Sequence, residues 1–193
     1  MTDETEQNFV HYSYTNGVTR FEMNREDPLK RMVFNDCKPI NIFVGDYDKS
    51  QILSAIAKGV PTFHYYLNFI QTEYLNGCYK KRFITELSKE VPYYSGVPYS
   101  RVIAINNIES GVYHKKYKKI VDLIYYSIDK NVQFFITTES IDFIRTFHEY
   151  DLDKLTIYRI EKRILADNTY RLVVVYLNEE AIKTFFDSNW EIR

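Results

Sequence analysis

Three short stretches hold side chains that could do chemistry. In the first, Lys49 and Ser50 follow Gly45-Asp46-Tyr47-Asp48. A lysine and a hydroxyl just past a glycine, where an apolar helical pattern begins, suit an anionic oxygen, because backbone N–H groups and an ammonium converge there. In the second, Asn106, Asn107 and Glu109 follow an apolar run over 102–105. Amide oxygens can ligate a hard cation weakly, and a carboxylate can accept a proton. In the third, Thr137, Thr138, Glu139 and Ser140 follow an apolar run over 132–136, which sets hydroxyls beside a second carboxylate.

Such groups act together only if the chain converges them, and its hydrophobic periodicity says how. Residues 9–24 are two β-prone runs around Asn16-Gly17, a strong hairpin signal. Residues 25–39 are charged, contain Pro28 and Pro39, and read as a loop. Residues 40–44 are a buried-type strand closed by Gly45. Over 49–58, Ile52, Leu53, Ile56 and Ala57 share one helical face, with Gly59 as the stop. Residues 61–90 read as mostly helical with a break at Asn76-Gly77, and 91–100 as a loop.

Residues 102–105 form a strand. Residues 114–129 form a helix with Tyr117, Ile120, Val121, Ile124 and Ile128 inward, and 132–136 form a strand. Ser140 is placed to cap a helix over 141–150. Strands over 155–162 and 170–177 flank a turn, and Asn178 caps a helix over 179–187. Strands alternating with helices imply an α/β fold with a mostly parallel central sheet. Sites in such a sheet lie beyond the carboxyl ends of the strands, here 45–50, 106–111 and 137–140. We read 1–193 as a single domain, with 60–100 as a helical insert and loop.

At 193 residues the chain can bury a sizeable core, and its net charge of −1 gives no global pull towards nucleic acid or membrane. Its unusual feature is 18 Tyr and 13 Phe against one Trp. Tyrosine, apolar in body and polar at the tip, suits half-buried faces and interfaces. Cys37 and Cys78 lack metal-ligand spacing and read as free thiols. His11, His64, His114 and His148 show no ligand spacing either, so no metal is expected. Residues 1–8 are polar and acidic and read as a frayed tail, not a targeting signal. No apolar run approaches the roughly 20 residues that span a bilayer. The expectation is a cytoplasmic protein.

Taken together, the three strand-end segments resemble the ATPase domain of ATP-binding-cassette-type proteins, in particular the overcoming-lysogenisation-defect and AAA-type core ATPases. In that family one strand ends in a glycine-rich phosphate loop with Lys-Ser/Thr. A later strand ends in Asp-Glu followed by Ile-Glu-x-Gly, and the next ends in Thr-Thr-His-Ser. The matching segments are Gly45 to Ser50, Asn106-Asn107-Ile108-Glu109-Ser110-Gly111, and Thr137-Thr138-Glu139-Ser140. Trp190-Glu191-Ile192-Arg193 also resembles how many of these proteins end. The resemblance takes in 40–58 and about 100–193, and fades between 60 and 100. It implies a P-loop-NTPase-like fold with an N-terminal β-hairpin and a reduced helical insert.

The departures from the family pattern bear on activity. Three residues separate Gly45 from Lys49, where the motif has five, and Asp48 replaces the glycine before the lysine. Asp46 and Asp48 stand where phosphates would approach. One such contact at about 4 Å costs roughly 1 kcal/mol in water and up to about 4 near a protein surface. The resemblance puts Asn106 at the magnesium-organising aspartate and Asn107 at the glutamate that would orient or deprotonate water. A neutral amide cannot act as that base. Glu139 replaces the switch histidine, and a carboxylate there repels a phosphate. Glu109 is retained, and strand alternation puts it on the same face as Asn107 but farther along. No trans-acting signature segment is apparent, since Ser95-Gly96-Val97-Pro98 is a poor match.

The resemblance therefore implies a pseudo-ATPase with no catalytic residues, no metal and no obligatory cofactor. It would act by binding another protein, such as a complete ATPase of its own family, as regulator, mimic or inhibitor, in a setting such as phage–host conflict. Two alternatives stand beside it. One is a weak ATP-binding or ATP-hydrolysing protein that uses Gly45, Lys49 and Ser50 as a remnant phosphate loop and Glu109 as base. The other is a nucleic-acid-binding accessory factor that uses Lys115, Lys116, Lys118 and Lys119. Those lysines also read as a solvated helix face. Tyr93, Tyr94 and Tyr99 are candidates for a protein interface.

Overall fold

In a computed structural model, the described residues are 9–15, 18–24, 32–45, 47, 49, 51–53, 101–110, 112–129 and 132–188. Strands β1 (Phe9–Thr15), β2 (Val18–Asn24) and β3 (Met32–Cys37) form an antiparallel sheet in that order. The expected antiparallel pairing of the two runs is present, with Thr15 opposite Val18. β3 corrects the reading of 25–39 as loop throughout. Its Met32, Phe34 and Cys37 are buried, and a strand of mixed polarity is held there by packing that its local sequence does not signal.

The second sheet has five strands: β4 (Ile40–Gly45), β5 (Arg101–Ile105), β6 (Val132–Thr137), β7 (Leu155–Ile164) and β8 (Tyr170–Leu177). Their spatial order is β5-β6-β4-β7-β8. The first three interstrand pairings in that order are parallel, and the β7–β8 hairpin is antiparallel. This is a mixed α/β fold with a mostly parallel five-stranded sheet. Both faces of the sheet are covered, which explains why β4 and β6 read as near-continuous apolar runs.

Alternation decides which side chain meets which layer. Ile40, Ile42, Ile103, Ile105, Phe134, Ile136 and Ile157 face the helices. Helix α1 (Tyr117–Ile128) presents Tyr117, Val121 and Ile124 to them, the short α2 (Ile141–Arg145) presents Phe143 and Ile144, and α3 (Glu179–Asp187) presents Ile182 and Phe185. Phe43, Ala104, Phe135 and Tyr158 face the other way, against Phe34 of β3 and Ile52 and Leu53. Phe34 meets Phe43 and Tyr158 edge-on, each at 5.2 Å between ring centres. Full burial of side chains of this size contributes roughly 1.5–3 kcal/mol each. Two expected helix caps are present: Ser140 Oγ accepts from the Phe143 N–H at 3.1 Å, and Asn178 Oδ1 accepts from the Ala181 N–H at 2.8 Å.

The β3–β4 turn is fastened by a side chain inside the sheet. Asn41 is fully buried. Its Oδ1 accepts from the Lys38 N–H at 2.9 Å, and its Nδ2 donates to the Phe134 carbonyl at 3.0 Å. A buried amide with both ends bonded fixes one register, since any slip would leave it unpaired. The parallel register of β4 against β6 sets the ends of β4, β5 and β6 side by side.

Candidate functional site at the strand ends

The site begins at Gly45, the last residue of β4. Its φ is +106°, a conformation that L side chains rarely adopt. A Cβ added there would lie 2.3 Å from the Ile160 carbonyl oxygen of β7. The glycine therefore lets the chain turn out of the sheet while pressed against the neighbouring strand. Lys49 then folds back over this turn. Its Nζ donates to the Gly45 carbonyl at 2.8 Å and to Glu139 Oε1 at 3.4 Å. The lysine side chain is 9% exposed and that of Glu139 75%. A nearly buried ammonium thus has as counter-ion a carboxylate that stands mostly in water.

Glu109 is used differently. Residues 106–110 form a turn, with Asn107 at φ +48° and the Ser110 N–H donating to the Asn107 carbonyl at 2.8 Å. Strand alternation therefore stops at Asn106, which corrects the expectation that Glu109 continues the face of Asn107. Instead Glu109 reaches across to the end of β6. Its Oε2 accepts from the Thr138 hydroxyl and its Oε1 from the Glu139 N–H, each at 2.8 Å. Thr138 Oγ1 in turn accepts from the Ser140 N–H at 3.0 Å. Both carboxylate oxygens thus join the β5 turn to the β6 end.

A second clasp lies one residue back. Thr137 is fully buried. Its hydroxyl donates to Asn106 Oδ1 at 2.7 Å and accepts from the Asn107 N–H at 2.8 Å. The Ile108 N–H reaches the Thr137 carbonyl at 3.1 Å. The left-handed backbone at Asn107 suits asparagine, one of the few residues with a side chain that enters that region readily. Sequence reasoning missed both threonines as structural partners, since a hydroxyl after a strand carries no signal of which neighbour it will meet.

The structure thus brings together Lys49, Glu139, Glu109, Asn106 and Asn107, with Gly45 beneath them. Ser50, Asp46, Asp48, Tyr93, Tyr94 and Tyr99 lie outside the described residues. Among the described residues no cluster of three His, Cys, Asp or Glu is placed to share a metal ion. Cys37 is a buried thiol that donates to the Phe34 carbonyl at 3.6 Å and accepts from the Tyr158 hydroxyl at 3.4 Å, and Cys78 lies outside the described residues.

The lysine cluster sits elsewhere, over the start of α1. Lys115, Lys116 and Lys119 are exposed. Lys118 donates to Glu149 Oε2 at 2.7 Å and to the Tyr150 hydroxyl at 3.3 Å. The hydrogen bond to Glu149 raises the Lys118 ammonium above its ordinary range and holds the Glu149 carboxyl below its own. One of the four charges is therefore answered within the chain. Beside it, Tyr125 and Tyr150 stack at 4.7 Å, and burial pushes the Tyr125 hydroxyl up.

No family model and no curated protein matches the chain. A search of solved structures finds a chain from a crystal structure of an SMC head bound to the C-winged helix domain of ScpA. The two are 20% identical with a TM-score of 0.29, and the match covers 46% of this chain and 23% of the other. Among the described residues, no helix is long and apolar enough to cross a membrane.

Proposed function

We propose that this protein is a non-hydrolysing, ATPase-like domain that acts by binding another protein. The observation that carries the reading is the way the strand-end groups satisfy one another. Lys49 takes Glu139, and Glu109 spends both oxygens on Thr138 and the Glu139 backbone. A general base must reach a water or substrate, whereas these two bonds tie Glu109 to the end of β6. Here the carboxylate retained from the resembling motif is a structural clasp, and the two neighbouring positions are amides. A magnesium nucleotide fits this arrangement poorly, because Glu139 already stands at the ammonium that its phosphate would need. On the resemblance, the partner is a complete ATPase of the cassette type, and the setting is regulation or inhibition of that enzyme.

The test has two parts. Purified protein is assayed for ATP turnover with magnesium, and tagged protein is used to capture partners from its source cells. The reading expects no turnover above buffer and a larger cassette-type ATPase in the eluate. Turnover that vanishes in Glu109→Gln would sink it.

A further inference from the structure

We infer that Tyr113, Lys115, Lys116 and Lys119 form a docking surface for an acidic segment of a partner protein, with the Tyr113 ring receiving an apolar side chain of that segment. The inference rests on the reading above, in which the protein acts by binding another protein, and names the surface and the chemistry it recognises.

Three observations converge on it. The first is the state of the charges. Among the described residues, Lys49 meets Glu139, Lys118 meets Glu149, Arg163 meets Glu161 and Lys183 meets Glu179. Lys115, Lys116 and Lys119 are exposed, and none of them pairs with a carboxylate among the described residues, which include all of 112–129. The short turn His114–Lys116 and α1 after it have no acidic residue in their first turns. Lys115 and Lys119 are four residues apart, a like-charge spacing that costs stability on a helix. An anion from outside the chain would relieve that cost.

The second observation is Tyr113, which is 56% exposed yet fixed in place. Val112 before it and Tyr117 after it pack on the core, and its carbonyl accepts from the Lys116 N–H at 2.8 Å. The His114 ring centre lies 4.4 Å from that of Tyr113, and Lys115 Nζ stands over the tyrosine ring at 5.9 Å. An amphipathic ring held still among ammoniums has the make-up of an interface anchor with a charged rim.

The third observation is that the patch is short and bounded. Beyond Lys119 the exposed side of α1 continues with Asp122, Tyr126 and, at the C-cap, Asp129. Asp122 accepts from the Tyr150 hydroxyl, and Glu149 stands at Lys118. A phosphate backbone carries charge after charge along its length, so it would run from the lysines onto these carboxylates. Nucleic-acid-binding modules are instead strongly basic overall, whereas this chain has a net charge of −1. A short segment with a few carboxylates around one apolar side chain matches the patch and stops where it stops.

The experiment is fluorescence anisotropy at low salt with three labelled probes. They are the peptide Glu-Asp-Glu-Leu-Glu-Asp-Glu, the same peptide with glycine in place of leucine, and an octamer of thymidylate. Wild-type protein is compared with the triple variant Lys115→Gln/Lys116→Gln/Lys119→Gln, with Tyr113→Ala, and with Lys162→Gln as a control on the β7–β8 hairpin. Circular dichroism confirms that each is folded. The triple variant is expected to bind the leucine peptide about 10-fold more weakly than wild type, the scale of three lost surface ion pairs. Tyr113→Ala should weaken the leucine peptide about 5-fold and leave the glycine peptide within about 2-fold of wild type. Lys162→Gln should bind both peptides as wild type does.

Five results would overturn the inference: no binding of the leucine peptide by wild type, a triple variant that binds like wild type, a loss in Lys162→Gln equal to that in the triple variant, Tyr113→Ala that weakens both peptides alike, or thymidylate bound more tightly than the leucine peptide. The last would assign the surface to nucleic acid. Partner capture from the source cells, repeated with the triple variant, separates this inference from the reading it rests on. A cassette-type ATPase retained equally by wild type and variant refutes the surface and leaves that reading standing. An eluate without a protein partner refutes the reading, while the peptide affinities still decide the chemistry of the surface.

Discussion

Replacing Gly45 by alanine separates a glycine kept for packing from one kept for a ligand. Two costs follow from the structure. At φ +106° an L residue is strained, which costs on the order of 1–3 kcal/mol. The new Cβ would also lie 2.3 Å from the Ile160 carbonyl oxygen and 3.0 Å from its amide nitrogen. Those are backbone atoms of a central strand paired with β4, so they cannot rotate away as a side chain would. Overpacking of this kind adds about 1–3 kcal/mol. Glycine-to-alanine exchange also lowers the unfolded-state entropy, which returns about 0.4–1 kcal/mol. The net expectation is a loss of about 3 kcal/mol. For a chain of this size that lowers Tm by roughly 6–12 °C. Urea titration of wild type and Gly45→Ala, followed by circular dichroism, measures the difference. A midpoint shift worth less than about 0.5 kcal/mol, typical of a featureless surface site, would refute the close approach of β4 to β7 at this residue.

Other perturbations test the clasps and the surface charges. Thr137→Val removes the hydroxyl that joins Asn106 to the Asn107 N–H, and should cost about 1–3 kcal/mol in the same titration. Thr137→Ser keeps the hydroxyl and should cost only about 1 kcal/mol for the lost methyl. Glu109→Gln leaves one acceptor for two donors, so it should destabilise by about 1–2 kcal/mol. Equal stability of the Gln variant would mean that the carboxylate does not hold the strand ends. Glu161 bonds Arg163 and Arg159, and the Arg163 contact leads in holding its carboxyl below the ordinary glutamate value of 4.5. That stabilisation is present above pH 4.5 and is lost as pH falls through the depressed value. Melting curves of wild type and Glu161→Gln should accordingly differ most above pH 4.5 and converge in acid; a constant gap would refute the assignment.

The central strands were legible in the sequence because both faces of the sheet are covered. Residues 40–44, 102–105 and 132–136 read as short unbroken apolar runs, and each lies within an observed strand. The antiparallel pairing over 9–24 was legible from its Asn-Gly signal, and Ser140 and Asn178 were legible as caps because capping is a local hydrogen bond. β3 was not. Its buried Met32, Phe34 and Cys37 are interleaved with Asn35 and Asp36, and two prolines flank the segment.

At the site, residue types were legible but pairings were not. Lys49 and Glu139 are ninety positions apart, and only the parallel packing of β6 on β4 brings them together. Period-two extrapolation misplaced Glu109, because Asn107 enters the left-handed region and turns the chain. The exposed lysines at the start of α1 were legible as a patch, but the partnership of Lys118 with Glu149 and Tyr150 was not, since those residues arrive from another element.

We propose that Glu109 serves as a clasp and not as a base. Single-turnover hydrolysis of ATP with magnesium, at protein in excess over nucleotide, tests it most directly. Wild type and Glu109→Gln are both expected to be indistinguishable from buffer, while the variant loses stability. Measurable hydrolysis by wild type that disappears in Glu109→Gln, at temperatures where both remain folded, would contradict it.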